Sequence, residues 1–279
     1  MGSSDSWTAI VTGGASGIGA ATSRKLASRG INVLVTDIQT ELGEKMASEL
    51  KSTFKVDAAF LRVDVSREED VRAMVNTVVQ KWGRLDYAAN VAGFCKEDRY
   101  NEANVSTEEV DKHFAVNQRG LWLCQKFEAA QMLKQEPREV ELFPRPSLPI
   151  RPQRGAIVNV GSTTAVTGMG FAAYAPTKAA CLEITRNGAF FYSPRGIRCN
   201  AVCPGATVTA MSAANMVDEV VGSGDRQALE NVYTRPIALK TMACPEEQAA
   251  VISFLLSPES SHVTGNTVMV DGGFSNVTF

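Results

Sequence analysis

The sequence predicts an α/β protein: a single doubly wound domain of about seven parallel strands, flanked by helices on both faces. Three observations carry that expectation. Apolar runs and amphipathic stretches alternate from one end of the chain to the other, the pattern of a parallel sheet covered on both sides. A glycine-rich turn, Thr12-Gly-Gly-Ala-Ser-Gly-Ile-Gly19, joins the first apolar run to the first helical stretch. The chain of 279 residues, 44% hydrophobic, is long enough for one large core.

The elements follow in order. Thr8–Thr12 is an apolar run and reads as a strand, and Ile18–Arg29 leaves the glycine turn as a helix. Asn32–Thr36 is a strand and Thr40–Leu50 an amphipathic helix. Ala58–Val63, Glu68–Trp82 and Leu85–Ala89 repeat the cycle as strand, helix and short buried strand, and Thr107–Lys134 reads as one long helix. Gly155–Val160 is a strand, and Ala172–Phe191, built mainly of good helix formers, a helix. Ile197–Val202 is a strand, Glu246–Leu256 a helix opened by Pro245, and Thr267–Val270 the last strand.

Two segments interrupt the rhythm of the single domain, residues 1–279. Glu136–Arg154 holds five prolines and several arginines, so it is neither regular helix nor inner strand and reads as an exposed insertion. Its Pro146-Ser-Leu-Pro149 spacing resembles a polyproline ligand, but a stiff surface loop explains it as well. The second, Thr207–Ala243, is rich in Met, Val and Gly; it is either a lid or packing against the body.

Bulk properties exclude several classes. A net charge of −2 gives no electrostatic reason for a nucleic-acid or anionic-membrane partner. No apolar run approaches a membrane span. The six cysteines, at 95, 124, 181, 199, 203 and 244, form no CxxC; Cys199 and Cys203 on one strand face would stand about 13 Å apart, too far to bridge. Free thiols in a reducing, cytoplasmic compartment are expected. With only His113 and His262 as imidazoles, no metal site is expected. The opening Met1-Gly-Ser-Ser-Asp-Ser6 matches a myristoylation pattern but lacks a second anchor, and reads as a polar leader.

The glycine turn has the context a dinucleotide site requires: strand before, helix after. Gly13, Ser16, Gly17, Ile18 and Gly19 would bring backbone N–H groups and the helix dipole to a pyrophosphate. Asp37, ending the second strand, stands where an acid binds adenosine ribose hydroxyls, or it caps the helix near Thr40. A carboxylate there repels a 2′-phosphate, and no Arg or Lys lies in the turn or directly after Asp37, so NAD is expected over NADP. Asp64 and Val65 end the third strand, and Asn90, Ala92 and Gly93 end or follow the fourth, where ligands meet open α/β sheets.

Tyr174 and Lys178 lie one helical turn apart in Tyr174-Ala-Pro-Thr-Lys178. A phenol beside a fixed ammonium, and beside a cationic nicotinamide, is expected to ionise below its usual pKa of about 10 and to act as acid or base. Ser162, just past the fifth strand, could orient a substrate oxygen.

Taken in this order, TGGASGIG at 12–19, NVAG at 90–93, Asn117, Ser162, YAPTK at 174–178, PG at 204–205 and VTGNTVMVDGG at 263–273 resemble the short-chain dehydrogenase/reductase family of single-domain Rossmann type, over Trp7 to Gly273. NVAG departs from the usual NNAG but keeps Asn90. The proline-rich insertion resembles those of fungal members acting in secondary metabolism. The resemblance implies that Asn117 holds a proton-relay water, that Lys178 also binds the nicotinamide ribose, and that Pro204, Gly205, Thr207 and Thr209 hold the nicotinamide end. It also implies a homotetramer or homodimer with paired long helices.

The function implied is NAD(H)-dependent interconversion of a secondary alcohol and a ketone, with hydride passing to or from nicotinamide C4. Phe94, Met169, Phe171, Met211 and Met216 suggest a hydrophobic small-molecule substrate. Two alternatives stay open: a non-redox isomerase, dehydratase or cyclase on the same scaffold, and a non-catalytic nucleotide-binding scaffold using the proline-rich insertion. His113, one turn before Asn117, is expected in solvent or at an interface.

Overall fold

The computed structural model describes residues 6–96, 102–142, 146–169, 171–212 and 234–276. Strands β1 (Thr8–Thr12), β2 (Asn32–Asp37), β3 (Ala58–Arg62), β4 (Tyr87–Asn90), β5 (Gly155–Val160), β6 (Ile197–Pro204) and β7 (Thr267–Val270) form one sheet in the order β3-β2-β1-β4-β5-β6-β7. Every pairing is parallel. The helices are α1 (Gly17–Ala27), α2 (Thr40–Phe54), α3 (Glu68–Trp82), α4 (Thr107–His113), α5 (Leu121–Met132), α6 (Tyr174–Tyr192) and α7 (Pro245–Leu256). None of the described helices is long and apolar enough to cross a membrane.

The inner strands are buried along their length because both faces are covered, while edge strands β3 and β7 are only partly buried. Ala9 and Val11 of β1, with Ala156 and Val158 of β5, pack against Leu26 of α1, Leu50 of α2 and Ile252 of α7. Ile10 and Ile157, one residue out of phase, face Met74 and Val78 of α3 and Leu123 and Met132 of α5. The chain leaves β1 toward β2 and β3, then returns to lay β4 on β1's other side. The carboxyl ends of β1 and β4 therefore diverge into a crevice.

Three expectations are corrected. The long helix predicted over 107–134 is a continuous rod of two α-helices with a π-helical stretch, Phe114–Gly120, between them. Its wider turn sets Asn117 into the protein interior, fully buried. The proline-rich insertion is exposed only in part, with Leu148 at 76% exposure. Its base is closed by Arg138 and Gln153, which exchange backbone hydrogen bonds of 2.8 and 2.9 Å, while Arg138 reaches Asp86 (3.6 Å) and covers the Trp7 ring. His113 is fully buried, contrary to the surface position expected for it.

Arg198 of β6 holds the end of α7. Its guanidinium donates to the carbonyls of Leu255 (2.7 Å), Leu256 (3.0 Å) and Ser257 (2.9 Å), to Ser260 Oγ (2.8 Å), and through Nε to Gln153 of the insertion (2.9 Å). A cation is the natural partner for a helix C-terminus, whose last carbonyls have no intrahelical donor. Arg198→Leu strands those acceptors in the interior and should lower stability by about 3 kcal/mol. The urea midpoint reads this directly; an unchanged midpoint would show that α7 is held by its apolar face alone.

Candidate active site

The crevice between β1 and β4 opens into a cleft of about 760 Å³. Gly13, Ser16, Gly17, Ile18 and Gly19 form one wall, between β1 and α1. The helix begins without a side-chain cap and without an acidic residue in its first turn, so nothing competes with an anion for its N–H groups. The turn is closed so tightly that a Cβ on Gly19 would fall 2.0 Å from the Gly13 carbonyl oxygen. A pyrophosphate fits this cradle.

Asp37, Asp64 and Val65 line the same end of the cleft. Asp37 Oδ2 accepts from Ala15 N (3.2 Å) in the glycine turn and Oδ1 from Gln39 N (3.0 Å) ahead of α2. The carboxylate thus braces the turn and the segment ahead of α2 while facing the cleft; α2 itself begins after Gln39 without a side-chain cap. Asp64 Oδ1 accepts from the backbone N–H (3.0 Å) and hydroxyl (2.7 Å) of Ser66. Pro204, Gly205, Thr207 and Thr209 form the far wall, with Thr207 Oγ1 donating to the Gly205 carbonyl at 3.0 Å.

Ala92 and Gly93 also face the cleft, but Asn90 does not. Its side chain turns under the sheet, where Nδ2 donates to Glu128 Oε2 (2.9 Å) and Asn159 Oδ1 (3.0 Å). Strand pleating sends this side chain to the opposite side from its neighbours, which leaves only backbone at β4's end for the approach to the ribose expected there.

Ser162, Tyr174 and Lys178 meet at the deep end. Ser162 Oγ accepts from Thr164 N (3.2 Å) and Thr164 Oγ1 (2.9 Å), and is hydrogen-bonded to the Tyr174 phenol. Lys178, almost wholly buried, donates from Nζ to the Val160 carbonyl at 2.8 Å, and stands 5.6 Å from the Tyr174 ring centroid. Burial pushes the Tyr174 phenol up and the Lys178 ammonium down from their ordinary values. The acidification expected of the phenol invoked a cationic nicotinamide as well as Lys178; without nucleotide, desolvation dominates and holds the phenol above its ordinary value.

Asn117 stands behind this group rather than on the cleft wall. Its Oδ1 accepts from Phe94 N and its Nδ2 donates to Phe94 O, both at 2.7 Å, with a longer bond to Thr177 Oγ1 (3.3 Å). The side-chain amide thus clamps the segment after Gly93. His113 supports the same segment: Nε2 accepts from Lys96 N (3.3 Å), Nδ1 bonds the Glu109 carbonyl (2.7 Å), and the ring packs on Phe94 and edge-on to Tyr174. Thr164 did not stand out in the sequence, where its place two residues after Ser162 was the available signal.

Phe94, Met169, Phe171 and Met211, expected to meet substrate, line the same cleft, joined by Cys95, Lys112 and Met242. Met216 lies outside the described residues. No cluster of three or more His, Cys, Asp or Glu side chains that could hold a metal occurs among the described residues.

A family model described as "Enoyl-(Acyl carrier protein) reductase" matches residues 13–275. The chain belongs to the short-chain dehydrogenase/reductase family. Short-chain dehydrogenase fogB of Aspergillus ruber is 34% identical over 95% of both chains. The 2,5-dichloro-2,5-cyclohexadiene-1,4-diol dehydrogenase of Sphingobium indicum is 34% identical over 97% of both. Among solved structures, a levodione reductase agrees at a TM-score of 0.86 and 28% identity, over 98% of each chain. An actinorhodin polyketide ketoreductase with NADPH agrees at 0.86 (26% identity; 99% and 100% covered), and an NAD+-bound xylitol dehydrogenase at 0.84 (26%; 96% and 98%). The chain is therefore a short-chain dehydrogenase/reductase oxidoreductase acting on hydroxyl or keto groups with a nicotinamide cofactor.

The glycine cradle is directly testable. Gly19→Ala should weaken NADH binding at least about tenfold, equivalent to roughly 1.4 kcal/mol, by fluorescence titration. Wild-type affinity would show that the dinucleotide does not rest on this turn.

Proposed function

We propose that this short-chain dehydrogenase/reductase interconverts a secondary alcohol and a ketone on a hydrophobic small molecule, with NAD(H) as the preferred cofactor and Tyr174 as acid and base. The observation that carries the reading is the Tyr174 phenol hydrogen-bonded to Ser162, with Lys178 buried behind it, at the deep end of a mostly apolar cleft.

A bound nicotinamide would accept or donate the hydride at C4. Ser162, its own oxygen held by two donors from Thr164, would orient the substrate oxygen. Tyr174, protonated in the absence of nucleotide, would give its proton to a carbonyl oxygen as that oxygen gains charge, and would recover one from an alcohol in the reverse direction. Lys178 spends one N–H on Val160, which supports a second role for its remaining donors on a ribose hydroxyl. Asn117 and His113 would act indirectly, by fixing Phe94 and Lys96 beside the substrate.

The preference for NAD rests on charge. Around Asp37 the wall is Ile38, Gln39, Val63, Asp64 and Val65, and Lys112 and Lys178 are the only basic residues on the described cleft lining. A 2′-phosphate would meet a carboxylate and no cation. The reading extends to a cytoplasmic homotetramer or homodimer, supported by free thiols and by an apolar groove between Phe114, Trp122 and Ile184. A place in secondary metabolism is supported by the insertion's resemblance to those of fungal members.

Tyr174→Phe should lower kcat by about 10²- to 10⁴-fold while leaving NADH affinity unchanged. Undiminished turnover would sink the assignment, and product formation without net change in NADH absorbance would favour a non-redox reaction. With wild type, kcat/KM should be at least about tenfold higher for NAD+ than for NADP+, a difference of roughly 1.4 kcal/mol; Asp37→Ser should narrow that gap.

A further inference from the structure

On the far side of the sheet from the glycine turn, α5 drives a carboxyl group into the interior. Glu128 is fully buried, and its Oε2 accepts from Asn90 Nδ2 at 2.9 Å. The same amide donates to Asn159 Oδ1 at 3.0 Å, so both its protons are committed. Asn159 Nδ2 donates to Gln125 Oε1 (2.7 Å) and Thr185 Oγ1 (3.0 Å), and Gln125 Nε2 to the Ile184 carbonyl (3.0 Å). Every amide donor of this chain has an acceptor. Two acceptors have no donor: Asn90 Oδ1 and Glu128 Oε1, both sealed from solvent.

An ionised Glu128 would be a full charge supported by one neutral amide, the costliest arrangement available to a buried carboxyl. A proton on Oε1 removes that charge and turns one orphaned oxygen into a donor for the other. We propose that Glu128 is a neutral acid whose Oε1 proton closes a cyclic pair with the Asn90 side-chain amide, and that this pair positions the carboxyl ends of β4 and β5 for nucleotide binding. Asn90 is followed by Val91, Ala92 and Gly93 of the cleft wall, and Asn159 by Val160, whose carbonyl holds Lys178.

The electrostatic surroundings agree. Burial pushes the carboxyl up to about 8, against a small opposing effect of the Asn90 hydrogen bond. The titratable groups facing it are thiols, Cys124 on α5 and Cys199 on β6, both held neutral by burial. Asn159 of β5 and Thr185 of α6 bring no charge. From α3, Arg72 lies outward over the Phe127 ring at 4.2 Å. Because the folded-state value lies above that of an unfolded glutamate, the carboxyl costs stability progressively as pH rises from the ordinary carboxylate range to about 8, and by a constant amount above it.

Infrared difference spectroscopy and nucleotide titration test the two halves of the proposal separately, and neither depends on the substrate. At pH 6.5 the wild-type protein should show the C=O stretch of a protonated, unsolvated carboxyl that is absent from Glu128→Gln and Glu128→Met and fades as pH rises through about 8. Glu128→Gln, which supplies the missing donor permanently, should bind NADH within about twofold of wild type at pH 7. Above pH 8 wild-type affinity should fall at least about threefold further than that of the variant. Absence of the band at pH 6.5, or its survival in both variants, overturns the neutral acid. A correct band with parallel affinity profiles overturns the positioning role. Should the variants fail to fold, the wild-type spectrum at pH 6.5 still decides: absence of a protonated, unsolvated carboxyl band overturns the proposal.

Discussion

The site depends on one hydrogen bond, from the Lys178 ammonium to the Val160 carbonyl at the end of β5. Burying an ammonium is expensive, and a single carbonyl dipole offsets only part of that expense. The remainder comes from α6 itself, whose Cys181, Leu182 and Ala189 are packed against the sheet and leave Lys178 nowhere to go. The helix therefore cannot rotate without losing its apolar contacts, the Lys178 bond and the bonds that Thr177, Ile184 and Thr185 accept. Tyr174, one turn earlier, inherits that fixed orientation, as does its bond to Ser162.

The same logic accounts for the opposite wall. Asn117 sits where the helical rod widens into its π turn, and its amide reads the Phe94 backbone at both donor and acceptor. A regular helix would rotate later residues by one position, and the side chain would leave the interior. Local irregularity in the rod is thus coupled to the path of the chain after β4. Gly93 completes the arrangement: a Cβ there would stand 3.3 Å from Lys178 Nζ and 3.6 Å from Asn117 Oδ1, so strand end, π turn and catalytic helix converge on a residue without a side chain.

The parts of this architecture readable in the sequence are those whose cause is local. Alternation of apolar runs announced the seven strands, because the inner strands are buried on both faces. The glycine turn and the Tyr174–Lys178 pair were visible because spacing along a few residues suffices to define them. What stayed hidden depends on partners distant in sequence. Asn90 read as a nucleotide ligand, and only Glu128 on another helix explains where its side chain goes. The π turn has no composition of its own, so Thr107–Lys134 read as one helix. His113 read as a surface residue because the rings that bury it, Phe94 and Tyr174, come from separate elements. The base of the proline-rich insertion is fixed by Asp86 and Trp7 near the start of the fold, contacts no local composition could announce.

The electrostatics of Tyr174 without nucleotide are the most instructive, since they concern sign rather than position. Reading two residues one turn apart, the ammonium should acidify the phenol. In the folded protein both groups are desolvated, and desolvation acts on each toward its neutral form, raising the phenol and lowering the ammonium. Thiols at Cys181 and Cys203 beside them are held neutral by the same effect. The deep end of the cleft is therefore poor in fixed charge when no nucleotide is present. In such a medium an added charge acts strongly, because little solvent is there to screen it. A cationic pyridinium would thus act on Tyr174 far more than the same charge would in water. On the proposed reading, ionisation of the phenol would be a property of the loaded site, coupling proton release to the oxidised cofactor without any moving part.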